Sequence, residues 1–179
     1  MLHSAHLIDG EALEIFDVFG PTLQFVTRPD EVSGAPAILR GTIPSGGAAP
    51  LHSHPDPETF VQLSGELEGF AFDKDEPKWI AIRPGDIFYV PAGARHAFRN
   101  RTDGPSISII FTTARLAAFF REVVRPLSDG KTPAVTLGEL QHFLATAGSP
   151  REGKPCVPAE SRIEQCSQRV CSDHQRPEG

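Results

Sequence analysis

Between Glu11 and Ile110 the chain never holds an apolar run for long before glycine or proline breaks it. The runs are Leu13–Phe19, Thr22–Thr27, Ala37–Ile43, Thr59–Leu63, Leu67–Phe72, Trp79–Ile82, Ile87–Val90, Ala97–Phe98 and Ser106–Phe111. Between them stand turn clusters such as Gly20-Pro21, Arg28-Pro29-Asp30, Ser45-Gly46-Gly47, Ser64-Gly65, Pro84-Gly85-Asp86, Pro91-Ala92-Gly93 and Asp103-Gly104-Pro105. The repeat is roughly the 8–12 residues of short strands joined by tight turns in a sandwich or barrel. With 17 Pro and 16 Gly the composition suits that class and disfavours a helical bundle. No block is duplicated, so residues 1–112 read as one β domain with N-terminal strands.

The pattern changes after Thr112. Leu116, Phe119, Phe120, Val123 and Val124 recur at helical spacing within Thr113–Arg125, and Pro126 ends the run. Thr136-Leu137-Gly138-Glu139 is a capping box. It predicts a second helix with Leu137, Leu140, Leu144 and Ala147 on one face, closed by Gly148. Residues 113–148 are therefore expected to be two helices that cover a barrel or an interface. From Ser149 to the end few large apolar residues remain, and a disordered tail is expected. All three cysteines, Cys156, Cys166 and Cys171, fall in that tail. Their spacing, even with His174 nearby, fits no common zinc pattern, so a reducible segment is the expectation.

At 179 residues and a net charge of −6 the chain is one acidic domain with a tail. Nucleic acid and anionic membranes call for a basic face, and neither is expected as a partner. No stretch approaches the length of apolar chain that spans a bilayer. The opening Met1-Leu2-His3-Ser4-Ala5-His6 lacks the charged and apolar regions of a signal peptide, and a cytoplasmic location is expected.

Chemistry concentrates in two segments. The first is Gly46-x5-His52-x-His54-x3-Glu58-x6-Gly65, and the second is Gly85-x5-Pro91-x-Gly93-x2-His96-x3-Asn100. Alternation along a strand points His52 and His54 the same way. Pro55-Asp56-Pro57 then breaks the ladder, because proline has no N–H to give it. Glu58 opens the next strand beside the two imidazoles, and the turn at Pro91-Ala92-Gly93 delivers His96 to the head of another. Three neutral imidazoles and one carboxylate are a ligand set for a divalent transition metal, and Fe, Mn, Ni, Cu and Zn are all admissible. His3, His6, His142 and His174 have no partners at ligand spacing.

Parity also places Phe60 and Gln62 on the face of Glu58, and Phe98 and Asn100 on the face of His96. Phe60, Phe98 and Gln62 are thus candidates for a substrate pocket, the aromatics as an apolar wall and Gln62 as a hydrogen-bonding group. The arginines around the second segment (Arg83, Arg95, Arg99, Arg101) read as a solvated rim, and Asp73–Lys78 as a hairpin tip.

All ten of the positions named in the two segments match the paired signature motifs of the cupin superfamily, which this sequence resembles over about residues 35–112. The resemblance implies a single jelly-roll β-barrel holding one metal through His52, His54, Glu58 and His96. It makes the glycines, Pro91 and Asn100 structural. The run His-Ser-His-Pro-Asp-Pro-Glu-Thr-Phe is similar to small bacterial members related to quercetinase-type dioxygenases. In those proteins the carboxylate ligand is thought to serve also as a base, which makes Glu58 the catalytic candidate.

The implied activity is oxygenation of a small phenolic or enolisable molecule, with Fe, Mn or Ni preferred over Zn or Cu. A metal-dependent isomerase or lyase and a non-catalytic small-molecule-binding cupin are the alternatives, since one fold hosts many chemistries. Single-barrel cupins often pair N-terminal strands, and residues 7–27 are apolar enough to do so. A homodimer is therefore expected.

Overall fold

The computed structural model describes residues 4–27, 35–73 and 76–127. Eleven strands and one helix follow in chain order: β1 Phe16–Asp17, β2 Thr22–Phe25, β3 Ala37–Ile43, β4 Ala48–His52, β5 Glu58–Ser64, β6 Leu67–Asp73, β7 Glu76–Ile82, β8 Ile87–Val90, β9 His96–Arg99, β10 Ser106–Thr112, α1 Ala114–Val123 and β11 Arg125–Pro126. They form a seven-stranded sheet in the order β11-β1-β2-β3-β10-β5-β8 and a four-stranded sheet in the order β4-β9-β6-β7. Every pairing is antiparallel. Two antiparallel sheets are what the turn spacing predicts, and they agree with the jelly roll that the resemblance implies.

The strand interiors follow the period of two. In β10 buried and half-buried residues alternate from Ser106 to Thr112, and β5 does the same from Glu58 to Gln62. The inward residues Leu39, Phe60, Phe98 and Ile110 join Leu23, Ile82 and Val90 in one core. Gly65 is required at its turn. Its φ is 69°, and a Cβ there would stand 2.3 Å from the carbonyl oxygen of Pro105.

Two elements depart from the sequence reading. Ala48-Ala49-Pro50-Leu51-His52 forms a strand although it carries no apolar run, and it lies at the edge of its sheet, where a proline is tolerated. Arg125–Pro126 is not the end of the helix but a short strand on β1, so the chain returns to its N-terminal region after α1. The first of the two expected helices is present as α1, with Thr113 as its N-cap accepting from the Leu116 N–H. The second, at 136–148, lies outside the described residues, as do the 149–179 tail and its cysteines.

Candidate metal centre

The site lies between the two sheets. His52 closes β4 and His96 opens β9, and the two are directly opposite in the four-stranded sheet. Glu58 opens β5 in the seven-stranded sheet, and His54 stands in the connection between β4 and β5. The Gly93 N–H, at φ 78°, donates to the His54 carbonyl at 2.8 Å, so the turn that delivers His96 is tied to the turn that delivers His54. Ring centroids are 4.2 Å apart for His52 and His96, 5.1 Å for His54 and His96, and 5.6 Å for His52 and His54. One ligating nitrogen from each imidazole falls within 4.8 Å of the others. Oε2 of Glu58 is 3.1 Å from Nε2 of His54 and 3.4 Å from Nε2 of His96.

The hydrogen bonds decide which nitrogens are available. Nδ1 of His52 faces the Pro50 carbonyl at 2.7 Å, and Nδ1 of His96 faces the Ala94 carbonyl at 3.0 Å. A carbonyl only accepts, so in both rings Nδ1 carries the proton and Nε2 keeps a lone pair. Nε2 of His96 is buried with no hydrogen-bond partner, and its neighbour is the acceptor-only carboxylate of Glu58. A metal ion would satisfy two such acceptors at once. The residues therefore fit a divalent metal, with nitrogen and oxygen donors held by their neighbours.

Electrostatics favour the same state. Burial opposes a charge on Glu58, but the hydrogen bond to His54 and the neighbouring His54 and His96 imidazoles outweigh it and lower the carboxyl to about 2. Burial, helped by His96, lowers His52 to about 4 against the pull of the Pro50 carbonyl. Burial resists charge on His54 as well. The hydrogen bond and charge of Glu58, with a smaller contribution from Asp56, prevail and raise it. At neutral pH the site thus offers a carboxylate anion and a neutral His52.

A cavity of about 370 Å³ opens beside these groups. His52, Glu58 and His96 reach it from one side, and Leu23, Ile43, Phe60, Phe98 and Ile110 form its barrel walls. The β1–β2 turn adds Val18, Phe19 and Pro21, and α1 adds Phe120. Among the described residues its only titratable lining side chains are His52, Glu58 and His96.

Phe60 and Phe98 stand where parity puts them, with rings 4.5 Å apart. Gln62 does not reach the cavity. It lies four residues beyond Glu58, roughly 13 Å along the strand. There its amide is used up, donating to Ser106 Oγ and to the carbonyls of Ser64 and Gly65 and accepting from Ser108 Oγ. Parity assigned the right face but not the depth. Asn100 donates to the carbonyls of Ile43 and Gly104 and accepts from Thr102, a structural role. The arginines of the second segment do not line the cavity: Arg99 stacks on Trp79 and pairs with Glu68, and Arg83 pairs with Glu66. Phe19 and Phe120 were missed, because no strand parity reaches a turn or a helix.

Residues 39–112 match the family described as the cupin domain. The fold is similar to that of the polyketide cyclase RemF from Streptomyces resistomycificus, at 13% identity over 62% of this chain and 80% of that chain, with a TM-score of 0.56. It is similar to a predicted oxalate decarboxylase from Thermotoga maritima, at 16% identity over 60% and 98% of the two chains, TM-score 0.52. An RmlC-like cupin from Shewanella frigidimarina gives 22% identity over 64% and 96%, TM-score 0.51. No curated protein sequence matches the chain. The family match and these fold likenesses fall on the segment that carries the cluster, whose three histidines are placed so that they can hold a metal.

Proposed function

We propose that this cupin is a metal-dependent oxygenase of the dioxygenase type, acting on a small, mostly apolar molecule that presents a phenolic or enolisable oxygen. The supporting observation is the pairing of the three-histidine, one-carboxylate cluster with a cavity whose other walls are apolar. A sugar would need hydrogen-bonding partners for its hydroxyls, and an organic diacid would need a cation. Among the described lining residues, the cavity's side chains beyond the cluster supply neither a cation nor more than the hydroxyls of Thr22 and Thr42. An aromatic or enol ring fits against Phe60 and Phe98 with its oxygen toward His52, Glu58 and His96.

His52, His54, Glu58 and His96 would hold the ion, with Fe, Mn or Ni preferred and Zn or Cu admissible. When bound, such an ion supplies Lewis acidity toward a substrate oxygen and, if redox-active, electron exchange with dioxygen. Glu58 is the one carboxylate at the cavity, and in this reading it both holds the metal and accepts the proton of the enol or phenol. In the metal-free protein the lowered pKa makes Glu58 a weak base, so a bound ion would have to supply the acidity of the hydroxyl whose proton it takes. The apolar wall keeps bulk water from the reacting face.

Isomerase or lyase chemistry calls for a second proton-transfer group, and the described cavity lining has none beyond the cluster itself. Oxygen-electrode assays of the reconstituted protein against a panel of phenols and enols test the proposal. Uptake of one O₂ per substrate with no added reductant is expected. Turnover without oxygen consumption would transfer the site to redox-neutral chemistry, and binding without turnover would make it a binding module.

A further inference from the structure

Pro55-Asp56-Pro57 joins His54 to Glu58, and its two prolines cannot donate to any ladder. The segment must take its position from contacts of another kind. At one end the His54 carbonyl accepts from Gly93 N–H, and at the other the Pro57 carbonyl accepts from Thr112 Oγ1 at 3.1 Å. In the middle the carboxylate of Asp56, only 5% exposed, is held on both oxygens. Oδ1 accepts from Nε of Arg115 at 3.1 Å and from the hydroxyl of Thr113, and Oδ2 accepts from the Arg115 guanidinium. Thr113 is the N-cap of α1 and Arg115 lies in its first turn, so the clamp runs from the site to the start of the helix whose Phe120 lines the cavity.

We propose that Asp56 is a positioning residue for the metal centre: its paired contacts with Arg115 and Thr113 fix the loop that sets the spacing of His54 and Glu58. Asp56 lies two residues from each and does not line the cavity; beyond the charge and backbone contribution it makes at His54, it acts through the backbone it immobilises. A bidentate Arg–carboxylate pair suits this, because it sets orientation as well as distance. The inference rests on the metal reading above, and it makes α1 part of the site rather than a cover for the barrel.

The test is Co(II) titration of the metal-free full chain, followed by visible absorption, for the parent, Asp56→Asn, Arg115→Ala, the double variant and Arg115→Lys. Arg115 is half-exposed, so its replacement leaves a foldable protein even if Asp56→Asn does not fold. The dissociation constant is expected to rise about ten-fold in either single variant, with the double variant no worse than the weaker single. The cobalt bands should shift, and Arg115→Lys should recover part of the loss. Gln62→Ala, which loosens the fold far from the site, should leave affinity and spectrum unchanged. Parent-like affinity and spectrum in both single variants would overturn the proposal alone. A parent that binds no cobalt would overturn the metal reading, and the proposal with it.

Discussion

Which ring nitrogen of each histidine is committed elsewhere governs the chemistry of single residues here. With Nδ1 of His52 and His96 tied to backbone carbonyls, protons compete with metal for the remaining positions. His54 is raised above its ordinary 6.5, so it must lose a proton before it can serve as a ligand. Apparent Co(II) affinity is expected to climb as pH rises through and above 6.5, which titrations at several pH values will show.

The metal-free protein has its own pH dependence. His52 is depressed from 6.5 to about 4 in the fold, so its contribution to stability is present above 6.5 and lost as pH falls toward 4. Glu58 is depressed from 4.5 to about 2, and its contribution is lost between those values. His54 works in the opposite sense, stabilising below 6.5 and losing that as pH rises through its folded value. Urea midpoints should therefore drop on acidification below 6.5 and drop further below 4.5.

Gln62 tests the depth argument: Gln62→Ala strands two serine hydroxyls and two carbonyls, at a cost of about 1–3 kcal/mol in unfolding free energy, while KM for any substrate stays at the parent value. The convergence of the four cluster residues was legible from their spacing, and the register that pairs His52 with His96 and the opening position of Glu58 on β5 bring them together. Gln62 was misplaced because alternation reports a face and not a distance from the site. Asp56 gave no signal, because its partners Thr113 and Arg115 lie nearly sixty residues away in sequence.

Legibility among the elements followed the strength of the hydrophobic alternation. β3 and β8 match their apolar runs end to end, and β10 extends its run by one residue. β4 escaped because alanine and proline carry no strand signature, though it brings His52 to the site. Its identity comes from the partner strand: the Ala48–Arg99, Ala49–Phe98 and His52–His96 pairs, with an irregularity between Ala49 and His52. The helix end was misread for a related reason. The helix ends at Val123, and Arg125–Pro126 pairs with Asp17 and Phe16 in a non-local contact that periodicity does not report. Two measurements check the element assignments. Leu39→Ala, at a position with no exposure in the middle of β3, should cost about 2–5 kcal/mol. Thr113→Ala removes both the cap of α1 and a partner of Asp56. It should cost about 0.5–2 kcal/mol from the cap alone and weaken metal binding, which the loss of a cap by itself would not.

For the molecule as a whole, the pattern from sequence to site is consistent: short strands closed by glycine and proline turns build two sheets, and the strand ends beside those turns, with His54 in one connection, carry the cluster. The described residues contain no helix long and apolar enough to cross a membrane. β8 ends the larger sheet with no described strand on its outer edge, and Ile87 and Tyr89 are 67% and 61% exposed there. An open apolar edge needs cover, and we propose a homodimer, for which light scattering should return twice the chain mass. The N-terminal strands first expected to make that contact are engaged within the chain, β1 with β2 and β11.

The central claim is the metal, and elemental analysis tests it most directly. The parent, purified without chelator or affinity metal, is expected to carry about one equivalent of a divalent transition metal that is lost in His52→Ala and in His96→Ala. No metal in the parent even after reconstitution, or the same content in folded variants, would contradict the account.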